Sequence, residues 1–352
     1  MTESERLHAL VREVIRAPEP RRVEGVAREV LAFQARHVDP VARLLRARGT
    51  DPATTPLDEL PGVPCDVFRL RRVAAHPPSE DVRVFRTSGT TLGLRGEHFF
   101  RDLGTYELAA VAFAKETLLQ GLDPVRVLAL APPCAEVPDS SLGFMIELFA
   151  GARSIPIEHF VSLAGGVDAQ GFADAAERAR RHGAPVLFLG TAFAFVHLLD
   201  DPRALDLRLP AGSRAMLTGG FKGRSREVSE PELRAMLADR LAVPPSAIVG
   251  EYGMTELSSQ LYERPRSPHD RVRYAWPPWM RVVAVDAESL SPVSRGEPGL
   301  CKIIDLANVD SAMIIQTNDL VRLHDDGLEL LGRAPGATPR GCSLAIEEIT
   351  GG

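Results

Sequence analysis

The 352-residue chain is 45% hydrophobic, enough to bury a substantial core as one large domain or two closely joined ones. Its 47 acidic and 41 basic residues leave a formal charge of -6, which excludes a general binder of nucleic acid or of membrane surfaces. No apolar run reaches the roughly 18 residues that a membrane span needs. The opening "MTESERLHALVREVIR" is charged and amphipathic rather than a signal peptide, so a cytoplasmic location is expected. Four cysteines (Cys65, Cys134, Cys301 and Cys342) lie far apart, with the spacing of neither a disulfide framework nor a zinc site.

Taken in chain order, the first fifty or so residues predict helices. Leu7, Leu10, Val11, Val14 and Ile15 form an apolar stripe, broken at Pro18 and Pro20 and resumed in "VEGVAREVLAFQARHVDPVARLLRARG". The Pro-rich "DPATTPLDELPGVP" is a connection. From Val82 strands and helices alternate. "DLGTYELAAVAFAKETLLQG" predicts a helix capped by Asp102 and ended by Gly121, and "VRVLALA" a strand. "DAQGFADAAERARRHG" predicts a helix stopped by Gly183, followed by the strands "PVLFLG" and "RAMLTGG". Ser229 and Glu232 have the spacing of a capping box for the next helix. This order implies crossover units on a largely parallel sheet, which binds ligands at the carboxyl ends of its strands. Beyond about Arg271, "MRVVAVDAES", "GLCKIIDLA", "AMIIQT", "DLVRLH" and "GLELLGR" predict short strands of an antiparallel or barrel-like region, and "CSLAIEEI" reads as a C-terminal strand.

Three segments carry chemistry. In "TSGTTLGLRG", Thr87, Ser88, Thr90 and Thr91 offer hydroxyl donors, while Gly89, Gly93 and Gly96 allow tight turns and close backbone approach. With a helix a few residues on, the loop is a candidate phosphate cradle; the alternative is an ordinary polar loop. It has neither the Walker A spacing nor its lysine. "GEYGMTELSSQ" follows the short strand "AIVG" and sets an aromatic ring (Tyr252), a hydroxyl (Thr255) and a carboxylate (Glu256) close together. A ring stacks on a purine, and a carboxylate beside phosphates calls for Mg²⁺ between them. In "TNDLVRLHDDGLELLGR", Asp319 suits sugar hydroxyls and Arg333 the same ribose or a phosphate.

In this order, the three segments resemble the adenylate-forming superfamily of acyl- and aryl-CoA ligases, and most closely its acyl-protein synthetase branch. The resemblance spans about Val82 to Arg333. It implies an α/β fold, the superfamily's N-terminal core with mostly parallel αβαβα layers plus a smaller antiparallel region. The implied segments are an N-terminal helical part (1–80), a nucleotide- and acyl-binding core (81–270), an antiparallel region (271–333) and a short tail (334–352) in place of the superfamily's mobile domain. By resemblance, ATP phosphates fall to Thr87, Ser88, Gly89, Thr90 and Thr91. Gly219, Gly220 and Tyr252 take the adenine, Asp319 and Arg333 the ribose, and Glu256, beside Thr255, the Mg²⁺. The usual lysine of the phosphate loop is missing, which leaves Arg95 and Lys222 as the cations expected near phosphate or carboxylate. A cysteine near the C-terminus carries the acyl group in that branch, and Cys342 stands in its place, with Gly341 for flexibility and Arg340 to lower the thiol pKa. Without the resemblance Cys342 reads as a small apolar residue.

The expected function is ATP-dependent activation of a fatty or aryl acid as its acyl-adenylate, passed to a thiol: an enzyme cysteine, a carrier-protein phosphopantetheine or CoA. One alternative is an acyltransferase moving an acyl group from acyl-CoA to an acyl carrier protein without ATP. Another is a silent nucleotide-binding scaffold subunit. A protein partner (carrier protein, reductase or transferase subunit) is expected to help close the site; nucleic acid and membrane insertion are not.

Overall fold

The computed structural model describes residues 1–88, 94–204, 206–219, 228–264, 271–335 and 338–351. The predicted N-terminal helices are α1 (Glu3–Arg16), α2 (Pro20–His37) and α3 (Asp39–Ala47). Thr2 and Glu5 close a capping box on α1, whose Leu7, Val11 and Val14 are buried as their spacing requires. The Pro-rich connection holds β1 (Val63–Pro64) and the short α4 (Val67–Leu70). Next come β2 (Arg83–Arg86), β3 (Glu97–Phe100) and α5 (Gly104–Glu116), which begins where Asp102 accepts from the Gly104 N–H at 2.7 Å.

The alternating region runs β4 (Val127–Leu130), α6 (Ser141–Arg153), β5 (Ile157–His159), β6 (Val161–Ser162), β7 (Gly166–Val167), α7 (Ala169–His182), β8 (Leu187–Thr191), α8 (Ala192–Asp200), β9 (Arg214–Thr218), α9 (Glu230–Leu241) and β10 (Ile248–Tyr252). Gly183 ends α7 in the left-handed conformation, and Ser229 caps α9 by accepting from Glu232 N–H. The rest is β11 (Leu261–Glu263), β12 (Tyr274–Ala275), β13 (Met280–Val285), β14 (Pro298–Asp305), β15 (Ile314–His324), β16 (Gly327–Arg333) and α10 (Arg340–Thr350). No described helix is long and apolar enough to cross a membrane.

These elements form two compact units: Met1–Ala112 with Met254–Leu261 and Arg273–Gly352, and Phe113–Gly253 with Tyr262–Val272. The division differs from the four consecutive segments expected, because the N-terminal helices and the antiparallel strands share one unit. The second unit is the α/β layer. Its strands run parallel in the order β5-β4-β8-β9-β10, around a core that includes Phe172, Phe188, Phe195 and Leu237. In the first unit, β13-β14-β15-β16-β12 pair antiparallel, and β1 joins β15 in parallel.

Three local expectations change. "AMIIQT" and "DLVRLH" form one strand, β15, because the polar groups at the supposed break are bonded in place. Asn318 Nδ2 donates to Asp66 at 3.0 Å, and Asp319 N–H donates to Thr317 Oγ1 at 3.1 Å. After "TSGTTLGLRG" an unpredicted strand, β3, precedes the predicted helix α5 and pairs antiparallel with β2. The C-terminal "CSLAIEEI" is the helix α10; Cys342, Ala345 and Ile349, spaced by three and four, bury one helical face.

Candidate active site

Within the first unit, the site is built from the hairpin loop outward. Thr87 N–H donates to Gly96 O at 2.9 Å, and Gly96 N–H returns a bond to Thr87 Oγ1 at 2.9 Å, so Thr87 and Gly96 clasp the loop base. Arg95 was expected at a phosphate. Its Nε donates to Thr87 O at 2.6 Å and its Nη2 to Arg86 O at 3.2 Å, bonds of the planar fork that fix the loop's entry strand. Ser88 is exposed at the edge of the described loop, while Gly89, Thr90 and Thr91 lie outside the described residues.

Glu256 meets this clasp. Its carboxylate is buried, and Oε1 lies 3.3 Å from where a Cβ on Gly96 would stand; Thr87 Cγ2 lies 3.0 Å from the same point. A side chain at position 96 would displace one or the other, which is why glycine is needed there. Thr255, half-buried, is held through its carbonyl by His98 Nδ1 at 2.9 Å. Burial pulls the His98 pKa down to about 4, although this bond opposes the shift. The ring is therefore neutral at physiological pH, and since a carbonyl only accepts, Nδ1 carries the proton.

Behind Glu256 stands a polar brace that sequence reasoning missed. Asp305, fully buried, accepts from Ser258 N–H at 2.9 Å, Ser259 N–H at 2.8 Å, Ser259 Oγ at 2.8 Å and Ala307 N–H at 3.1 Å. Burial raises its pKa while these bonds oppose the rise. Asn308 Nδ2 donates to Glu256 O at 2.8 Å. The N-terminal helices grip the same segment. Gln34 Nε2 of α2 donates to Asn308 O at 2.6 Å, and His8 of α1 meets Asp310 at 2.9 Å. Burial works against the Asp310 charge, but bonds from His8, Arg101 and Ser4 hold its carboxyl below the usual range. The available signal was the polar run "DLANVDS" after an apolar strand.

Asp319 and Arg333 face one another across the β15–β16 pairing, with Arg333 Nε 3.6 Å from Asp319 Oδ1. Cys65, expected to be core, is buried, and the charges of this pair and of Glu256 both act on its thiol. Burial raises its thiol pKa most, the charges of Glu256, Asp66 and Asp319 raise it further, and Arg333 opposes them. The "EYGMTE" carboxylate and the "NDL…GR" pair thus each lie within electrostatic reach of Cys65, as does Asp66 from the segment after β1.

In the second unit, Gly219 follows β9 with φ +69°, a conformation that favours glycine, and the half-buried Tyr252 ends β10. Gly220 and Lys222 lie outside the described residues.

Cys342 corrects an expectation. It is fully buried in α10 against Val283, Val285 and Leu300, and burial, followed by the Asp66 charge, raises its thiol pKa to about 11. The anticipated lowering by Arg340 is absent. Gly341 serves close packing rather than flexibility: its N–H donates to Ala287 O at 3.1 Å, and an added Cβ would stand 2.7 Å from Leu290 Cγ.

Among the described residues, no group of three or more His, Cys, Asp and Glu side chains forms a metal cage. A single buried carboxylate beside a candidate phosphate loop suits Mg²⁺, which takes much of its coordination from phosphate and water oxygens.

Comparison with known proteins gives the family and the fold. The family model described as acyl-protein synthetase, LuxE, matches residues 36–350. The long-chain-fatty-acid–luciferin-component ligase of Aliivibrio fischeri is 22% identical over 310 residues, covering 83% of this chain and 79% of that protein. An open conformation of 2-hydroxyisobutyryl-CoA ligase, in complex with 2-HIB-AMP and CoA, superposes with a TM-score of 0.66 at 16% identity, over 89% of this chain and 69% of that one. A Brucella canis acyl-CoA synthetase gives 0.53 at 21%, over 74% and 46%. These two structures establish the fold, an α/β adenylate-forming core. The chain belongs to the acyl-protein synthetase family, LuxE.

Proposed function

We propose that the chain activates a fatty or aryl carboxylic acid with ATP and delivers the acyl group to a thiol. A carboxylate oxygen attacks the α-phosphorus, the bond to the bridging β-phosphate oxygen breaks, and pyrophosphate leaves; a thiolate then attacks the acyl carbon and AMP departs. The substrate is already ionised at neutral pH, so the first step needs no base. Ser88 and the loop that Thr87 and Gly96 clasp are assigned to the phosphates, with Gly89, Thr90 and Thr91. Asp319 and Arg333 are assigned to the ribose, Gly219, Gly220 and Tyr252 to the adenine, and Lys222 to a phosphate or the substrate carboxylate. Bound Mg²⁺ supplies charge neutralisation at the phosphates, and Glu256 is the residue to hold it, with Thr255 beside it. The observation that carries this reading is the buried Glu256 set against the Thr87–Gly96 clasp of the candidate phosphate loop, with Asp319 and Arg333 paired across β15–β16.

Carboxylate-dependent exchange of labelled pyrophosphate into ATP tests the first step. Asp319→Ala is expected to raise the KM for ATP about tenfold with kcat nearly unchanged, as for a ribose contact kept from ground state to transition state. An unchanged KM would remove Asp319 from the nucleotide. No exchange with any acid, together with label taken up from acyl-CoA, would replace adenylation by acyl transfer without ATP.

Cys342 is proposed as the acyl acceptor within the chain. A thiol buried at pKa about 11 is a poor nucleophile at neutral pH, so α10 must leave its seat before transfer. Cys342→Ser is expected to keep pyrophosphate exchange while losing covalent label from radioactive fatty acid and ATP. Label persisting on that variant would assign the thioester elsewhere. The final acceptor, CoA, a carrier protein or a reductase or transferase subunit acting in the cytoplasm, belongs to the same proposal.

A further inference from the structure

Glu251 precedes Tyr252 and takes no part in the chemistry above, yet it is a buried carboxyl near the ligand-binding ends of the parallel strands. In the β9–β10 register it stands directly across from Thr218, and the two side chains hydrogen-bond. Glu251 is 6% exposed and Thr218 8%. The next residue on one strand is Gly219, in its left-handed conformation, and on the other Tyr252. The side-chain pair therefore ties together the ends of the two strands that carry the proposed adenine contacts.

Other elements on β10 bring charges that are matched elsewhere. Arg234 of α9 pairs with Glu263 of β11 at 2.7 Å and with Glu230 at 2.8 Å, and it donates to Ile248 O at 3.0 Å. Glu263 accepts from Gly250 N–H at 2.8 Å. On β9, Arg214 lies at the opposite end and donates to the carbonyls of Leu118 and Gln120. Burial raises the Glu251 pKa to about 7, with only the Thr218 hydroxyl opposing it.

We propose that Glu251 acts in its protonated form as a positioning residue, locking the ends of β9 and β10 through Thr218, and that its ionisation loosens Gly219 and Tyr252. A carboxyl with a raised folded pKa is neutral in the fold while already ionised in the unfolded chain. The stability it supports is therefore present below the ordinary carboxyl pKa and is lost as pH rises through about 7. The consequence for catalysis rests on the adenylation reading; the lock itself does not.

Two measurements on the full chain separate these. In amide hydrogen exchange without ligand, corrected for intrinsic rate, protection at 216–219 and 249–252 is expected to fall about tenfold between about pH 6 and about pH 8. Glu251→Gln keeps a neutral hydrogen-bonding group and should flatten this dependence to within about twofold, and Thr218→Val should lower protection at both pH values. In pyrophosphate exchange, the KM for ATP should rise across the same range in the wild type and not in Glu251→Gln. Protection that is equally pH-dependent in the wild type and in Glu251→Gln, or in neither, overturns the lock. A pH-dependent lock with no pyrophosphate exchange from any variant retires the adenylation reading and leaves the lock standing. Identical KM profiles for wild type and Glu251→Gln overturn its catalytic consequence.

Discussion

Replacing Asp305 with alanine is expected to abolish pyrophosphate exchange and to lower stability by about 4 kcal/mol. The substitution strands the buried N–H groups of Ser258, Ser259 and Ala307 and the hydroxyl of Ser259. Each buried donor left without an acceptor costs about 1–3 kcal/mol, and the groups share one carboxylate, so their losses are not independent. The first two belong to the turn directly after Glu256, and Ser259 Oγ also accepts from Trp279 Nε1 at 3.0 Å. The damage therefore reaches Glu256, the carboxylate proposed to hold Mg²⁺, and a large core side chain together. Asp305→Asn keeps one acceptor oxygen and should lose about half as much stability. Urea unfolding followed by Trp fluorescence, run beside the exchange assay, measures both effects. A variant with an unchanged midpoint and undiminished exchange would show that the turn holds itself.

Glu256→Gln should behave differently: exchange falls by about 10²–10³-fold while the unfolding midpoint stays close to that of the wild type. The amide is nearly isosteric and fits the space beside Gly96, so packing survives. The variant loses the negative charge that would hold Mg²⁺ against the phosphates, and with it stabilisation of the charge developing at the α-phosphorus. Exchange within about twofold of wild type would deny Glu256 that role. Comparing the two variants distinguishes a group that acts on the reacting atoms from one that keeps it in place.

How much of this was legible in the sequence depends on how local the deciding interactions are. The helices from Glu3 to Ala47 follow their apolar spacing, and α7, β8, β9 and α9 follow caps and alternation written within a dozen residues. The Asp319–Arg333 pairing was not legible in the sequence; the short β15–β16 hairpin fixes it by register. The strand after the loop was not legible, since Glu97–Phe100 is too short to declare itself before it pairs with Arg83–Arg86; the helix expected beyond it is α5. The tail was misread because five apolar positions in eight residues fit a strand or a helix, and only burial against Val283, Val285 and Leu300 selects the helical face.

The sequence by itself determined the class of the fold and the chain order of most of its elements, because periodicity, caps and short motifs act over a few residues. Only the tertiary structure decided what supports them. His98 holds Thr255 across 157 positions, Asn308 holds Glu256 across 52, and His8 reaches Asp310 across 302. It also decided that Arg95 serves the loop's backbone, that Cys65 stands among the site's charges and that Cys342 is buried. These outcomes rest on hydrogen bonds and desolvation between segments that only the folded chain brings together. A buried polar group is fixed by the partners it meets there and not by its neighbours in sequence.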